Sequence, residues 1–393
     1  MPIVNRVADL QPDIQAWRRD IHEHPELLYD VHRTAAFVAD RLREFGCDEV
    51  VTGLGQTGVV GVIKGSKPAG EGLKVIGMRA DMDALPVDEQ TNLPYASKTP
   101  GKMHACGHDG HTAMLLGAAR YLAETRNFAG DAIVIFQPAE EGGGGARVMI
   151  EEGLLERFGI EEVYGMHNEP GVDVGSFAIR SGPFMAGADR FLVTINGKGG
   201  HAASPNLTRD PVLVSAHMIT ALQSIASRFT DPFDPVVLSV TFMNGGNDQA
   251  LNVIPASVKI GGTIRTMQPE TRKAVEQRFR DIVGMAAKLF ETEAEITWIP
   301  GYPVTVNDEE KTRVAVSAAA NVVGAGRVET AYAPSMGAED FAYMLEQRPG
   351  AIILVGNGDS AYLHHPAYNF DDRAIIYGVK YWLSLANQEL GRL

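Results

Sequence analysis

Cys106 and His108 stand two apart in His104-Ala-Cys-Gly-His-Asp-Gly-His111, and Glu140 and Glu141 adjoin in Gln137-Pro-Ala-Glu-Glu141. His167 follows a β-rich run, and His364, with His365 beside it, follows Leu363 in a loop containing Gly and Asp. One sulfur, three imidazole nitrogens and a carboxylate make a mixed donor set. Such a set suits zinc, manganese, cobalt or nickel, whereas calcium and magnesium want mostly oxygen. Five protein donors are one too many for a tetrahedral ion with an open position, so two divalent ions sharing a bridge are the more economical reading. Gly107 lets the backbone turn so that Cys106 and His108 can converge, and a helix opening just beyond would favour the thiolate of Cys106.

Adjacent side chains on extended backbone point opposite ways, so one carboxylate of the Glu140–Glu141 pair can hold an ion. If the loop bends back, the other faces the substrate's water. Metal-assisted hydrolysis needs that division of labour. The ion brings the pKa of water toward roughly 7, and a free carboxylate carries the proton to the leaving nitrogen. Each cluster alone has a plainer reading: a buried thiol beside a loop histidine, a solvated acidic turn, a structural imidazole. Their joint occurrence at strand ends favours a site. His104, Asp109 and His111 read as outer partners of the ligands. Asp83, in Arg79-Ala-Asp81-Met-Asp83, either orients a ligand or caps a turn against Arg79. His22, His24, His32 and His217 read as structural.

The elements that must position these residues alternate. Apolar spacing over residues 9–46 predicts two helices joined by a polar loop. Val59–Ile63, Val75–Met78, Ile133–Phe136 and Val163–Met166 read as strands, with helices over 110–125 and 145–157 between them. That order predicts an α/β domain whose mixed sheet is covered by helices on both faces, with chemistry in the loops past the strand ends. From about 185 the order changes to strand 189–196, helix 210–229, strands 236–243 and 257–266, helix 270–290 and strand 294–299. This βαββαβ pattern predicts an inserted α+β domain over 185–299, a small sheet with two helices on one side. Residues 1–184 and 300–393 then form the discontinuous catalytic domain, bringing His364 back to ligands that all precede residue 168. Within the insert, His201 in Gly-Gly-His-Ala-Ala could donate to a developing oxyanion, while Asn252 and Arg265 could receive a substrate carboxylate; an ordinary loop and a solvated strand are the alternatives.

Composition sets the bounds. With 393 residues, 45% hydrophobic and 21% charged, the chain is an ordinary globular protein. Its net charge of −14, spread along the sequence, argues against nucleic acid or anionic lipid as partner. Two cysteines cannot make a disulfide framework, and the N-terminal residues lack the pattern of a signal peptide, so a reducing cytoplasm is expected. No apolar run is long enough to cross a membrane.

Seven motifs in order along nearly the whole chain resemble the M20 metallopeptidase family. They are Arg-Ala-Asp-Met-Asp-Ala-Leu-Pro, His-Ala-Cys-Gly-His-Asp-Gly-His-Thr, Gln-Pro-Ala-Glu-Glu-Gly, Gly-Met-His-Asn, Gly-Gly-His-Ala-Ala, Met336-Gly-Ala-Glu-Asp-Phe341 and Leu-His-His-Pro. The nearest branch is that of hippurate hydrolases, N-acyl amino acid amidohydrolases and auxin-conjugate hydrolases. The resemblance implies a dinuclear site with Cys106, His108, Glu141, His167 and His364 as ligands, Cys106 bridging, and Glu140 as general base and then acid. It implies that His201 stabilises the oxyanion, reaching a neighbouring subunit's site in a homo-oligomer, and that Asn252 and Arg265 bind the amino acid's carboxylate. His365 stands where Asn or Ser is common and Asn369 where Asp is usual. Ser204 and Asn206 lie in a loop that varies among relatives, so the acyl preference does not follow from the resemblance. A dipeptidase or carboxypeptidase using the same site, and a non-catalytic metal- or ligand-binding protein, are the competing readings.

Overall fold

A computed structural model describes residues 3–68 and 74–391. Its contacts divide them into two units: one runs to Gly182 and resumes at Val306–Ala333 and from Asp340 onward; the other is Pro183–Thr305 with Pro334–Glu339.

The first unit is built on a mixed eight-stranded sheet. Its strands are β1 (Glu49–Leu54), β2 (Gly58–Lys64), β3 (Val75–Asp81), β4 (Asp131–Gln137), β5 (Glu162–Pro170), β6 (Phe177–Ala178), β7 (Val328–Glu329) and β8 (Gly350–Gly358), in the spatial order β1-β2-β4-β3-β5-β8-β6-β7. The central strands β4, β3, β5 and β8 run parallel. Every residue of β3 and β5 is buried, as expected of strands covered on both faces. The sheet is thus the expected α/β arrangement. Helices α1 (Ile3–Glu23), α2 (His32–Glu44), α3 (His108–Thr125), α4 (Gly145–Glu151), α5 (Glu309–Val323) and α6 (Ile375–Glu389) accompany it. Helix α3 is buried almost all round, and its Met114, Leu115 and Leu122 join one core with Leu10 and Ile14 of α1 and Val379 and Trp382 of α6. The expected helix over 145–157 is broken: α4 ends at Glu151, and Gly153, at φ +91°, separates it from a single turn at Leu154–Arg157.

The second unit has the strand order Val236–Gly245, Ser257–Thr266, Gly187–Asn196, Glu293–Pro300, all neighbours antiparallel. Helices Pro211–Leu222 and Pro269–Leu289 pack on one face, where Val214, Met218, Phe279 and Val283 meet Phe191, Val193, Ile195 and Ile260. Asp210 caps the first helix by accepting from the backbone N–H of Val212. That helix stops at Leu222, and residues 225–229 form a separate π-turn, so the expected single helix over 210–229 is two pieces. Pro334–Glu339 joins this unit through Ala186 N–H to Ser335 O at 3.0 Å and Ser335 N–H to Phe184 O at 2.9 Å. No helix among the described residues is long and apolar enough to cross a membrane.

Candidate metal centre

The carboxyl ends of the parallel strands β3, β4, β5 and β8 lie at one edge of the sheet, and each leads into one of the polar clusters. Asp81 ends β3, Glu140 and Glu141 follow β4, His167 lies within β5, and His364 follows β8. The loop carrying Cys106 runs into the first residue of α3, His108. Thr112 Oγ1 ties that helix to β3 by donating to Asp81 O at 2.7 Å.

Among the groups of three donors that assemble there, each with ligand atoms within 4.8 Å of one another, two share a sulfur: Cys106, His108 and His167, and Cys106, Glu141 and His364. Only Cys106 belongs to both. Its Sγ is 3.4 Å from His167 Nε2, and His364 Nε2 is 3.3 Å from Glu141 Oε1. Glu140 is buried and groups with His108 and Glu141. The two glutamates sit in a turn after the left-handed Ala139, at φ +55°, which brings both carboxylates to His108. Asp83 supports this turn: Oδ1 accepts from Glu140 N–H and Oδ2 from Glu141 N–H, both at 3.0 Å, while Oδ1 lies 3.5 Å from His108 Nδ1. Arg79 turns instead to Asp81, at 2.7 Å, and to Asp340, at 3.0 Å. Asp83 therefore faces the ligands, while Asp81 pairs with Arg79 and also comes within 3.8 Å of His108 Nε2. His365 stays outside, its Nδ1 accepting from Ala367 N–H at 3.0 Å.

The electrostatics suit a cation. Neither ring nitrogen of buried His108 has a hydrogen-bond partner, nor does Glu141 Oε1. Buried polar atoms are seldom left so. Burial alone would lower the His108 pKa, but Asp81, Asp83 and Glu141 outweigh it and lift it to about 10. Burial, then the Glu141 and Glu140 carboxylates, push the Cys106 thiol well above its ordinary value. Without a cation, burial and these carboxylates keep Cys106 a thiol; a positive charge among the donors would favour the thiolate. Burial holds His167 well below the ordinary histidine range, so its imidazole is a neutral donor. The residues present fit a pair of divalent transition ions.

Behind the ligands lies a buried ionic cluster that sequence reasoning passed over. Asp109 accepts from Arg18 at 3.2 Å and meets His22 Nδ1 at 2.8 Å, and His22 Nε2 is 3.4 Å from Glu89. Arg18 also pairs with Asp372 at 2.8 Å and stacks on Tyr95 at 4.5 Å. Against its burial, Asp109 and Glu89 lift the His22 pKa to about 9. A folded-state value above the unfolded value of about 6.5 means a stabilisation complete below that pH and lost as pH rises through about 9, on the order of 3 kcal/mol. The melting temperature of the metal-free protein should therefore fall more steeply between these pH values than that of His22→Gln. Parallel curves would remove His22 from the balance. His104, buried beside His22, has no partner on either ring nitrogen, and burial drops its pKa to about 3, so it is neutral.

His201 and Asn252 come together in the second unit, where Gly200–His201 pairs with Val253–Ile254 and Ala202 N–H donates to Asn252 O at 3.0 Å. His201 Nδ1 accepts from Ala203 N–H at 3.0 Å. Arg265 lies half-buried in strand Ser257–Thr266, donating to Ile264 O at 3.1 Å and to Thr263 Oγ1.

The sequence matches peptidase family M20/M25/M40 over residues 77–388. It is 41% identical to the hippurate hydrolase of Campylobacter jejuni over 386 residues, covering 98% of this chain and 99% of the relative. It is 43% identical to the N-acetyl-L-cysteine deacetylase of Bacillus subtilis over 371 residues, covering 94% of this chain and 86% of the relative. The crystal structure of the YxeP protein of Bacillus subtilis, described as a dinuclear metal-binding peptidase from the M20 family, superposes with a TM-score of 0.84 at 36% identity, covering 98% and 99% of the two chains.

Proposed function

The chain belongs to peptidase family M20/M25/M40, and on that premise we propose that it hydrolyses the amide bond of N-acyl amino acids to a carboxylate and a free amino acid. The observation that carries this reading is the pair of three-donor groups joined at Cys106, with the carboxylate of Glu140 beside them. The names of the hippurate hydrolase and the N-acetyl-L-cysteine deacetylase support the substrate class, since both act on an acylated amino acid.

Cys106, His108 and His167 would hold one ion, and Cys106, Glu141 and His364 the other. When bound, the ions supply Lewis acidity toward water and the amide carbonyl. Glu140 takes the proton as water's oxygen bonds to the carbonyl carbon, then hands it to the nitrogen as the C–N bond breaks. Asp83 holds both glutamate backbone N–H groups and stands behind His108, so it is a positioning residue. His201 stabilises the oxyanion, and Asn252 and Arg265 receive the amino acid's carboxylate. The ions are zinc, manganese, cobalt or nickel. The inserted unit joins copies in a homo-oligomer, and two free cysteines, Cys47 and Cys106, fit a reducing cytoplasm.

The test is a substrate panel after stripping with chelator and reloading with each of the four ions. N-acetyl and N-benzoyl amino acids should be hydrolysed only after reloading, and their methyl esters on the order of a hundredfold more slowly, because Asn252 and Arg265 lose the charged group they receive. Dipeptides outpacing every N-acyl amino acid would replace this reading with a dipeptidase or carboxypeptidase. Metal uptake without hydrolysis of any acylated amine would replace it with a binding protein.

A further inference from the structure

Asn168, next to His167 in β5, spends every polar group it has on the segments that carry the ligands. Its carbonyl accepts from His167 Nδ1 at 2.6 Å, which fixes that ring with Nε2 toward Cys106 Sγ. Its backbone N–H donates to His111 Nε2 at 2.9 Å, so the His111 proton sits on Nδ1, 2.7 Å from Asp81 Oδ1. Its side-chain Nδ2 donates to the Cys106 carbonyl at 2.6 Å and lies 3.0 Å from His111 Nε2. Its Oδ1 accepts from the Tyr368 hydroxyl at 2.7 Å. A flipped amide would set oxygen against both the Cys106 carbonyl and the accepting nitrogen of His111, so the orientation is unique.

All three of Asn168, His111 and Tyr368 are buried. Tyr368 lies four residues beyond His364, whose N–H donates to Ala105 O at 2.8 Å in the Cys106 loop. One amide therefore joins the strand bearing His167, the loop bearing Cys106 and the segment bearing His364. The fit is close: a Cβ on Gly107 would come within 2.3 Å of Asn168 Nδ2 and 2.5 Å of the Tyr368 hydroxyl.

We propose that Asn168, locked by Tyr368, is a positioning residue that sets the spacing of Cys106, His167 and His364 and so the affinity for the ions. This rests on the reading of those residues as ligands under Proposed function. The test compares the parent with Tyr368→Phe and Asn168→Asp, each stripped and titrated with cobalt(II) while thiolate-to-cobalt absorption and metal content are followed. We expect cobalt affinity about tenfold weaker in Tyr368→Phe and approaching a hundredfold weaker in Asn168→Asp, with the absorption band shifted. We also expect kcat to fall at nearly constant KM, and the metal-free melting temperature of Tyr368→Phe to stay near the parent's. Should Asn168→Asp not fold, Tyr368→Phe alone decides. Variants with the parent's cobalt affinity and spectrum overturn this inference alone, as do variants that lose them only in proportion to lost fold. A parent that takes up no cobalt overturns the metal reading, and this inference with it.

Discussion

Glu140→Gln should lower kcat by about 10²–10⁴-fold while the protein keeps both ions. The amide has nearly the shape of the carboxylate, and the backbone N–H of residue 140 would still donate to Asp83, so the turn holding Glu141 stays in place. A neutral amide cannot take up a proton from water or return it to nitrogen. Metal content by elemental analysis separates the possibilities. Ions retained with lost turnover and little change in KM is the expected pattern. Turnover equal to the parent's would end the proton-transfer role, and lost metal would make Glu140 a ligand instead. Glu141→Gln is the natural contrast: its carboxylate faces His364 at 3.3 Å and should cost metal first.

Much of this centre is legible in the sequence because its donors come in short runs at strand ends, where the backbone itself brings them to one edge of the sheet. The runs over Val75–Met78 and Val163–Met166 are apolar and continuous, as doubly covered strands must be, and this exposed the sheet. What stayed hidden depends on pairs far apart in the chain. His22 read as an ordinary structural histidine because its partner Asp109 lies 87 positions away, and Arg18 gave no sign of its pairing with Asp372. Asn168 looked like a residue following a ligand; its role emerges from a tyrosine 200 positions later. Periodicity shows which face of an element is buried, and it says nothing about which polar group waits on the other side. The same limit explains Pro334–Glu339, which joins the second unit through backbone hydrogen bonds that leave no trace in side-chain pattern. It also explains the two carboxylates of the Arg79 segment, whose separate roles are set by Arg79 and His108 and not by spacing.

Cys106→Ser should be the most damaging single change at the centre, because Cys106 alone belongs to both donor groups. A hydroxyl of similar size fills the same buried space, so the fold should persist. It is a far weaker donor than a thiolate toward borderline ions. Losing a shared donor weakens two sites together, and the expected fall in metal affinity exceeds the 10–100-fold that outer partners are worth, on the order of 10³-fold or more. Activity at fixed metal should fall with it and recover only partly at high concentrations of added ion. Cys47→Ser is the control. Cys47 is free and partly buried against the core, its N–H donating to Leu42 O of α2, and burial lifts its thiol to about 12, so it takes no part in thiolate chemistry near neutral pH. It should keep the parent's metal content and rate. If Cys106→Ser instead holds two ions as tightly as the parent, the two groups are not joined through sulfur. The bridge would then have to be sought between His108 and the paired glutamates, which also meet there.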